Sequence, residues 1–180
     1  KIILKLKQRE VFKYKFVSNE KAKSFNTVNK IISKLLKNNF TRQDCVISLG
    51  GGITGDLSGF VSSIYKRGIK FINIPTTLLA QVDASIGGKT GVNHKIYGKN
   101  LIGSFYQPNI VIADTDYLKS LSKKELICGY AEIFKHSLIY SKQNFLFLEK
   151  FYKKILSLEK KVLEKAILES CKIKKSIVQK

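Results

Sequence analysis

The sequence contains no methionine, only 13 acidic residues against 33 lysines and arginines, three cysteines and two histidines. Without methionine, Lys1 is not an initiator, and the expectation is a processed product or a fragment of a longer chain. Cys45, Cys128 and Cys171 are far apart, odd in number and without CxxC spacing. That excludes a disulfide framework and a thiolate zinc site, and the three read as small core residues. No apolar run is long enough to span a bilayer and no signal-peptide pattern occurs. A soluble, cytoplasmic protein without a membrane partner is expected.

The shortage of acid leaves a formal charge of +20. A basic surface attracts phosphate without sequence preference, yet only Arg9, Arg42 and Arg67 are arginine. The lysines are scattered over every segment, with no dense block interleaved with aromatics, so the charge reads as a solvated surface and no nucleic-acid partner is expected.

What is present is a glycine-rich turn. Gly50, Gly52 and Gly55 fit GxGxxG; the apolar run Cys45 to Leu49 leads in and a helical pattern follows. Backbone N–H groups in such a strand–turn–helix can approach a phosphate, with the positive end of the helix dipole behind them. The same spacing also occurs in turns that bind nothing, and on the motif alone both readings stand. The ordinary dinucleotide fold adds a carboxylate at the end of the next strand. Here Lys70 to Ile74 ends in Pro75, Thr76 and Thr77, so a ribose contact must come from elsewhere.

Around this turn the pattern predicts an α/β fold. A helix end is expected over Lys1 to Glu10 and an alternating strand over Val11 to Val17. The polar turn Ser18 to Ser24 precedes an amphipathic helix marked by Val28, Ile31, Ile32, Leu35 and Leu36. Strand, helix and apolar strand form a parallel crossover unit. Beyond Leu57 to Ile64 (helix) and Lys70 to Ile74 (strand), Thr76 to Ala84 begins another helix. A glycine-laced loop or β-ribbon spans Gly87 to Gly103, and such segments are usually functional. Ile110 to Ala113 closes the sheet. Ser122 and Glu125 then form a capping box for a helix through Tyr140, and two further helices are predicted near Asn144 to Tyr152 and Leu158 to Val178. A domain boundary is expected near Lys119, dividing residues 1–119 from 120–180.

In the helix after Ser122, Leu126, Ile127, Tyr130, Ala131, Phe134 and Leu138 are assigned to the apolar stripe. Glu132 and Lys135 share another face with Cys128 and Ile139, taken as partly covered, where they are either a surface ion pair or a metal ligand and its neighbour. His136 reads as a helix-surface residue and His94 is ambiguous. One carboxylate and two unmatched histidines do not make a metal site. Asp83, Lys89, Asn93, Lys99 and Asn100 cluster among glycines, which suits a phosphorylated or carboxylated substrate.

Five blocks together resemble the 3-dehydroquinate synthase family: GGGITGDLSGF from Gly50, YKRG from Tyr65, IPTTLLAQVDASIGGKTGVN from Ile74, GKNLIGSFYQP from Gly98 and GYAEIFKH from Gly129. The likeness runs from about Ser18 to Lys142. It implies an NAD-binding parallel-sheet domain followed by the start of an all-helical metal-binding domain. It also implies conversion of 3-deoxy-D-arabino-heptulosonate 7-phosphate, a phosphorylated sugar acid, to 3-dehydroquinate and phosphate in the shikimate pathway. NAD would oxidise a hydroxyl transiently, and a divalent metal, zinc or cobalt, would polarise it.

Position by position, the resemblance assigns cofactor contacts to Ser18, Asn19, Glu20, Lys21, Ala22 and Lys23, which would supply the ribose contact. It also assigns Gly52, Ile53, Thr54, Gly55 and Asp56 to the pyrophosphate loop. Further cofactor positions are Thr76, Thr77, Asp83, Lys89, Lys99, Tyr117, Leu118, Lys119 and Ser120. Lys135, Lys89, Asn100 and Arg67 match substrate-binding or catalytic positions; Arg67 would reach the phosphate pocket of a second subunit, which implies a homodimer. Glu132 matches the first metal ligand.

Two departures stand out. The stretch between Asn93 and Gly98 is about one residue longer than in relatives. The family's two histidine ligands belong to a GHxxGH-type segment that this sequence lacks, so a complete metal site is not expected; isolated, the chain would bind NAD weakly without cyclising substrate. Rival readings are another sugar phosphate cyclase, a metal-dependent polyol dehydrogenase of similar fold, and a non-catalytic basic binding module.

Overall fold

The structure is a computed structural model and describes residues 9–179. Helix α1 (Phe25–Lys37) leads into strand β1 (Cys45–Gly50), helix α2 (Gly52–Ile64), a 3₁₀ turn (Tyr65–Arg67) and strand β2 (Lys70–Pro75). A wide π-helical turn (Ala80–Ala84), strands β3 (Lys89–His94), β4 (Gly98–Phe105) and β5 (Ile110–Val111), and a 3₁₀ helix (Thr115–Ser120) follow. Helices α3 (Lys123–Tyr140), α4 (Lys142–Leu156) and α5 (Lys160–Val178) complete the order.

The core sheet is parallel with order β1–β2–β5, and β3 and β4 form a separate antiparallel ribbon. β1 and β2 run in register from Cys45 beside Lys70 to Gly50 beside Pro75. The two strand ends therefore deliver the glycine turn and Thr76–Thr77 to one spot, where the Thr76 N–H donates to the Gly50 carbonyl at 2.9 Å.

Two apolar cores support this arrangement. Val28, Leu35, Leu57, Phe60, Val61, Tyr65, Ile69 and Val92 join α1 and α2 to the sheet and the ribbon. Leu78, Val82, Leu118, Leu126, Ile133, Leu148, Ile155 and Leu163 build the helical core. Helix α3 opens with the expected capping box, Ser122 and Glu125 bonding each other's backbone.

Several expectations need correction. Residues 11–17 form no ladder. No described strand lies alongside to pair with them, and they run as an irregular segment whose Phe16 packs on the first core. The closing strand is shorter than expected, Ile110–Val111, although the Ile112 N–H still reaches the Asn73 carbonyl at 2.9 Å. The expected helix end over residues 1–10 lies outside the described residues except for Arg9 and Glu10, which are not helical.

In α3 the buried positions are Leu126, Gly129, Ile133, His136 and Ser137, while Ile127 and Leu138 face outward. A hydrophobic count misses this face because glycine, histidine and serine carry three of its five positions. Cys128 is exposed, not a core residue, and so is Ile139 on its face. Among the described residues, no helix is long and apolar enough to cross a membrane.

At Gly129, α3 packs closely on the residues leading into the π-helical turn: a Cβ there would stand 2.6 Å from the Leu78 side chain and 2.7 Å from the Leu79 backbone nitrogen. Alanine improves helix propensity by about 1 kcal/mol, but overpacking against backbone costs about 1–3 kcal/mol. Gly129→Ala is expected to lower the urea midpoint; an unchanged or raised midpoint would mean that helix and turn separate freely.

Candidate functional site

The glycines of the turn are required by close approach. A Cβ on Gly50 would lie 2.5 Å from Thr54 Oγ1, one on Gly51 3.1 Å from the Thr77 methyl, and one on Gly52 3.3 Å from the Ala84 Cβ. Gly51 caps α2 with extended backbone, and the Thr54 and Gly55 N–H groups both reach its carbonyl. The earlier N–H groups of the first turn have no intrahelical partner and face outward from the helix end. That is the layout of an anion site at a helix N-terminus, backed here by the Thr76–Thr77 loop.

The polar turn before α1 folds over this end. Thr54 Oγ1 lies 3.2 Å from Ser18 Oγ, and the Asn93 N–H donates to the Lys23 carbonyl at 2.8 Å. Asn19 holds the turn through its side chain, which accepts from the Ala22 N–H at 2.9 Å; Lys21 points to solvent. The Lys23 ammonium is buried between the Asp56 carboxylate and Asn100 Oδ1. Glu20 accepts from the Asn93 amide at 2.8 Å and pairs with Lys99 at 3.6 Å.

The charges respond to these contacts. The Asn93 hydrogen bond, then Lys99 and Lys23, hold the Glu20 carboxyl below its ordinary value. Burial pushes the Asp56 carboxyl upward, and Lys23 opposes it. Ser18, Glu20, Lys23, Thr54, Asp56, Lys99 and Asn100 thus form one connected group. Lys89 begins β3 with its side chain exposed.

Helix α3 brings a second group. Glu132 and Lys135 form an ion pair, and Glu132 Oε1 lies 3.2 Å from His136 Nε2, one helical turn on. Asp83 completes the group: one ligand atom from each of Asp83, Glu132 and His136 lies within 4.8 Å of the others. This corrects the reading of His136 as a surface residue, since it is 2% exposed. Its Nδ1 is 2.7 Å from Ser170 Oγ on α5, and Lys174 on the same helix pairs with Asp83. Burial lowers the His136 pKa, with Glu132 opposing. The spacing Glu132–His136, four apart on one helix, was visible in the sequence; Ser170 and Lys174, 34 and more residues further along, give no local signal.

Five expected residues stand apart. Arg67 precedes β2 and so occupies the opposite end of the parallel sheet, about 17 Å of strand rise from the glycine turn. It lines a concavity with Thr41, Arg42, Gln43 and Lys66. Leu118 is fully buried in the helical core, and Lys119 pairs with Asp116 at 2.6 Å. The Ser120 hydroxyl donates to the Tyr117 backbone carbonyl at 2.9 Å. His94 closes the ribbon turn, its Nδ1 accepting from the Ile96 and Tyr97 N–H groups, both at 3.2 Å. The β3–β4 ladder shifts register between Val92 and His94, where Asn93 on one strand faces Lys99, Asn100 and Leu101 on the other.

A parallel sheet with a glycine turn at its carboxyl end, joined to a helical unit bearing a carboxylate–imidazole cluster, is an α/β architecture similar to that of sugar phosphate cyclases and iron-type alcohol dehydrogenases. Residues 13–128 match the family model for the 3-dehydroquinate synthase N-terminal region, and residues 129–180 that for the C-terminal region. The chain belongs to the 3-dehydroquinate synthase family.

The 3-dehydroquinate synthase of Pelagibacter ubique (strain HTCC1062) is 62% identical over 164 residues, 91% of this chain and 44% of that protein. The one from Buchnera aphidicola subsp. Baizongia pistaciae is 52% identical over 158 residues, 88% of this chain and 44% of that one. The chain thus spans less than half the length of these curated relatives.

Among solved structures, 2-epi-5-epi-valiolone synthase from Streptomyces hygroscopicus subsp. jinggangensis 5008, with NAD+ and Zn2+ bound, superposes with a TM-score of 0.83 at 28% identity over 88% of this chain and 44% of that one. A 2-deoxy-scyllo-inosose synthase complexed with carbaglucose-6-phosphate, NAD+ and Co2+ gives 0.65 at 33% identity, covering 68% of this chain and 33% of that one. An iron-containing alcohol dehydrogenase from Thermotoga maritima, at 17% identity, covering 91% of this chain and 52% of that one, with a TM-score of 0.68, shares the fold.

The buried imidazole makes a pH prediction. A lowered folded-state pKa means that the unfolded chain binds the proton more readily, so the stabilisation is complete above the ordinary value of 6.5 and is lost as pH falls through the folded value. Urea stability is expected to drop between pH 7 and pH 5 in the native chain and to drop less in His136→Gln; parallel profiles would contradict a neutral His136.

Proposed function

We propose that the chain carries the NAD-binding part and the beginning of the metal-binding part of a 3-dehydroquinate synthase acting on 3-deoxy-D-arabino-heptulosonate 7-phosphate. The observation that carries the reading is the convergence of Ser18–Lys23, Gly52–Asp56, Thr76–Thr77, Lys99 and Asn100 on one glycine turn. Relatives bearing that name at 62% and 52% identity favour this substrate over those of the cyclases known in structure. We further propose a division near Lys119, cytoplasmic residence and a homodimer; Arg67, remote from its own glycine turn, is suited to a second copy's phosphate.

The residues present fit both groups. The helix N-terminus and glycine approach suit a pyrophosphate, with Glu20 and Lys23 at the ribose and Asp83 toward the nicotinamide. For a divalent metal, two carboxylate oxygens and one imidazole nitrogen are suitable donors. Glu132 would hold it. Burial lowers the basicity of His136, which favours the neutral imidazole that a metal requires, and its Nε2 faces Glu132 while Nδ1 contacts Ser170. NAD would supply a reversible hydride acceptor, and the metal a Lewis acid for the reacting hydroxyl.

The chain's own residues do the rest. Lys89, Lys99, Lys135 and Lys174 give point charges for the phosphate and carboxylate of the substrate. Asn100 contributes a neutral amide for a hydroxyl. Lys135 is paired with Glu132, so its ammonium would lie close to a hydroxyl bound at Glu132 and would offset negative charge developing there.

The test is a chimera in which this chain replaces the matching 164 residues of the Pelagibacter ubique relative. It is expected to release phosphate from the heptulosonate phosphate without net NADH, and Glu132→Gln to lower turnover by about 100-fold or more. A folded, NAD-binding chimera that turns over another phosphorylated sugar instead would refute the assignment.

A further inference from the structure

We propose that Lys23 is a positioning residue that sets which end of the Asn100 side-chain amide meets the substrate, and so links the cofactor turn to the substrate side of the site. The inference rests on the proposed function and deepens it. Lys23 is 6% exposed, and its ammonium touches two groups from distant elements: the Asp56 carboxylate on α2 and the Asn100 Oδ1 on β4.

An ammonium only donates. Asn100 must therefore present Oδ1 to Lys23, which turns Nδ2 away, and among the described residues none accepts from that Nδ2. The usual ambiguity of an asparagine amide is removed by a partner that accepts nothing. Asn100 becomes a donor toward the site, matched to a hydroxyl, carboxylate or phosphate oxygen.

The backbone is held as well. Asn100 has a left-handed conformation, φ 57°, which asparagine adopts more readily than other side-chain-bearing residues. Its N–H donates to Asn93 Oδ1 at 3.0 Å, while the Asn93 amide donates to Glu20 at 2.8 Å and the Asn93 N–H to the Lys23 carbonyl at 2.8 Å. The polar turn therefore grips Asn100 at both ends. Because the same ammonium neutralises Asp56 on the helix that opens at the glycine turn, ordering of the cofactor side fixes the amide on the substrate side.

The test uses the isotope-labelled chimera described above with NAD and 3-deoxy-D-arabino-heptulosonate 7-phosphate. The Asn100 side-chain N–H pair, identified by its loss in Asn100→Asp, should be distinct from that of a solvated asparagine. It should move when the sugar phosphate is added, and collapse to solvated positions in Lys23→Met. Affinity for the sugar phosphate should fall about tenfold in Lys23→Met and in Asn100→Ala, and no further in the double variant.

Asn100→Asp keeps an acceptor for Lys23, so it should fold normally yet lose about tenfold in affinity. Independent losses multiplying to about a hundredfold, an Asn100 pair unmoved by Lys23→Met, or an Asn100→Asp chain binding as tightly as the native one would each overturn the proposal. If the ligands shift other site residues but not the Asn100 pair, this inference alone fails. If they shift none, the proposed function fails with it.

Discussion

The parallel pairing of β1 with β2 is the constraint on which the site depends. Register places Gly50 beside Pro75, and a slip of one residue would turn every side chain of one strand to the other face. With that register set, the glycine turn and Thr76–Thr77 share one end of the sheet, and Lys66–Arg67 is committed to the other. The site's polarity thus follows from backbone hydrogen bonding before any charged side chain is considered.

Charge is then balanced locally. Asp56 has Lys23, Asp83 has Lys174, Glu132 has Lys135 and Glu20 has Lys99. In a chain of net charge +20, the few carboxylates near the site are each matched to a lysine. The surplus of lysine therefore has a structural use that composition alone does not reveal. These pairs are partly exposed for Lys99 and Lys135 and more enclosed for Lys23, so solvent screens them unequally.

Much of the fold was legible in the sequence because strands and helices advertise themselves by period. β1, β2 and the three late helices follow the apolar pattern and the Ser122–Glu125 cap, while the ribbon showed only in its spaced glycines, which a loop would share. The site was legible where short motifs carry it, around Gly50–Asp56 and Thr76–Thr77. It was illegible where burial of a polar group depends on a distant partner. His136 looks solvent-facing until Ser170, 34 residues later, supplies a partner for Nδ1. The alternation of Phe12, Tyr14 and Phe16 promised a strand, but alternation describes only one half of a pairing, and residues 11–17 have no described neighbour to complete it.

The π-helical turn Ala80–Ala84 carries a mechanical consequence. Leu78 and Val82 are embedded in the helical core, whereas Ala84 abuts Gly52 and Asp83 joins the Glu132–His136 cluster. The wider turn, closed by the Ser85 N–H on the Ala80 carbonyl at 3.0 Å, lets neighbouring residues face two different layers. One short turn thus touches the helical core, the glycine turn and the carboxylate–imidazole cluster at once, so the spacing between the two halves of the site is set by the packing of the helical layer.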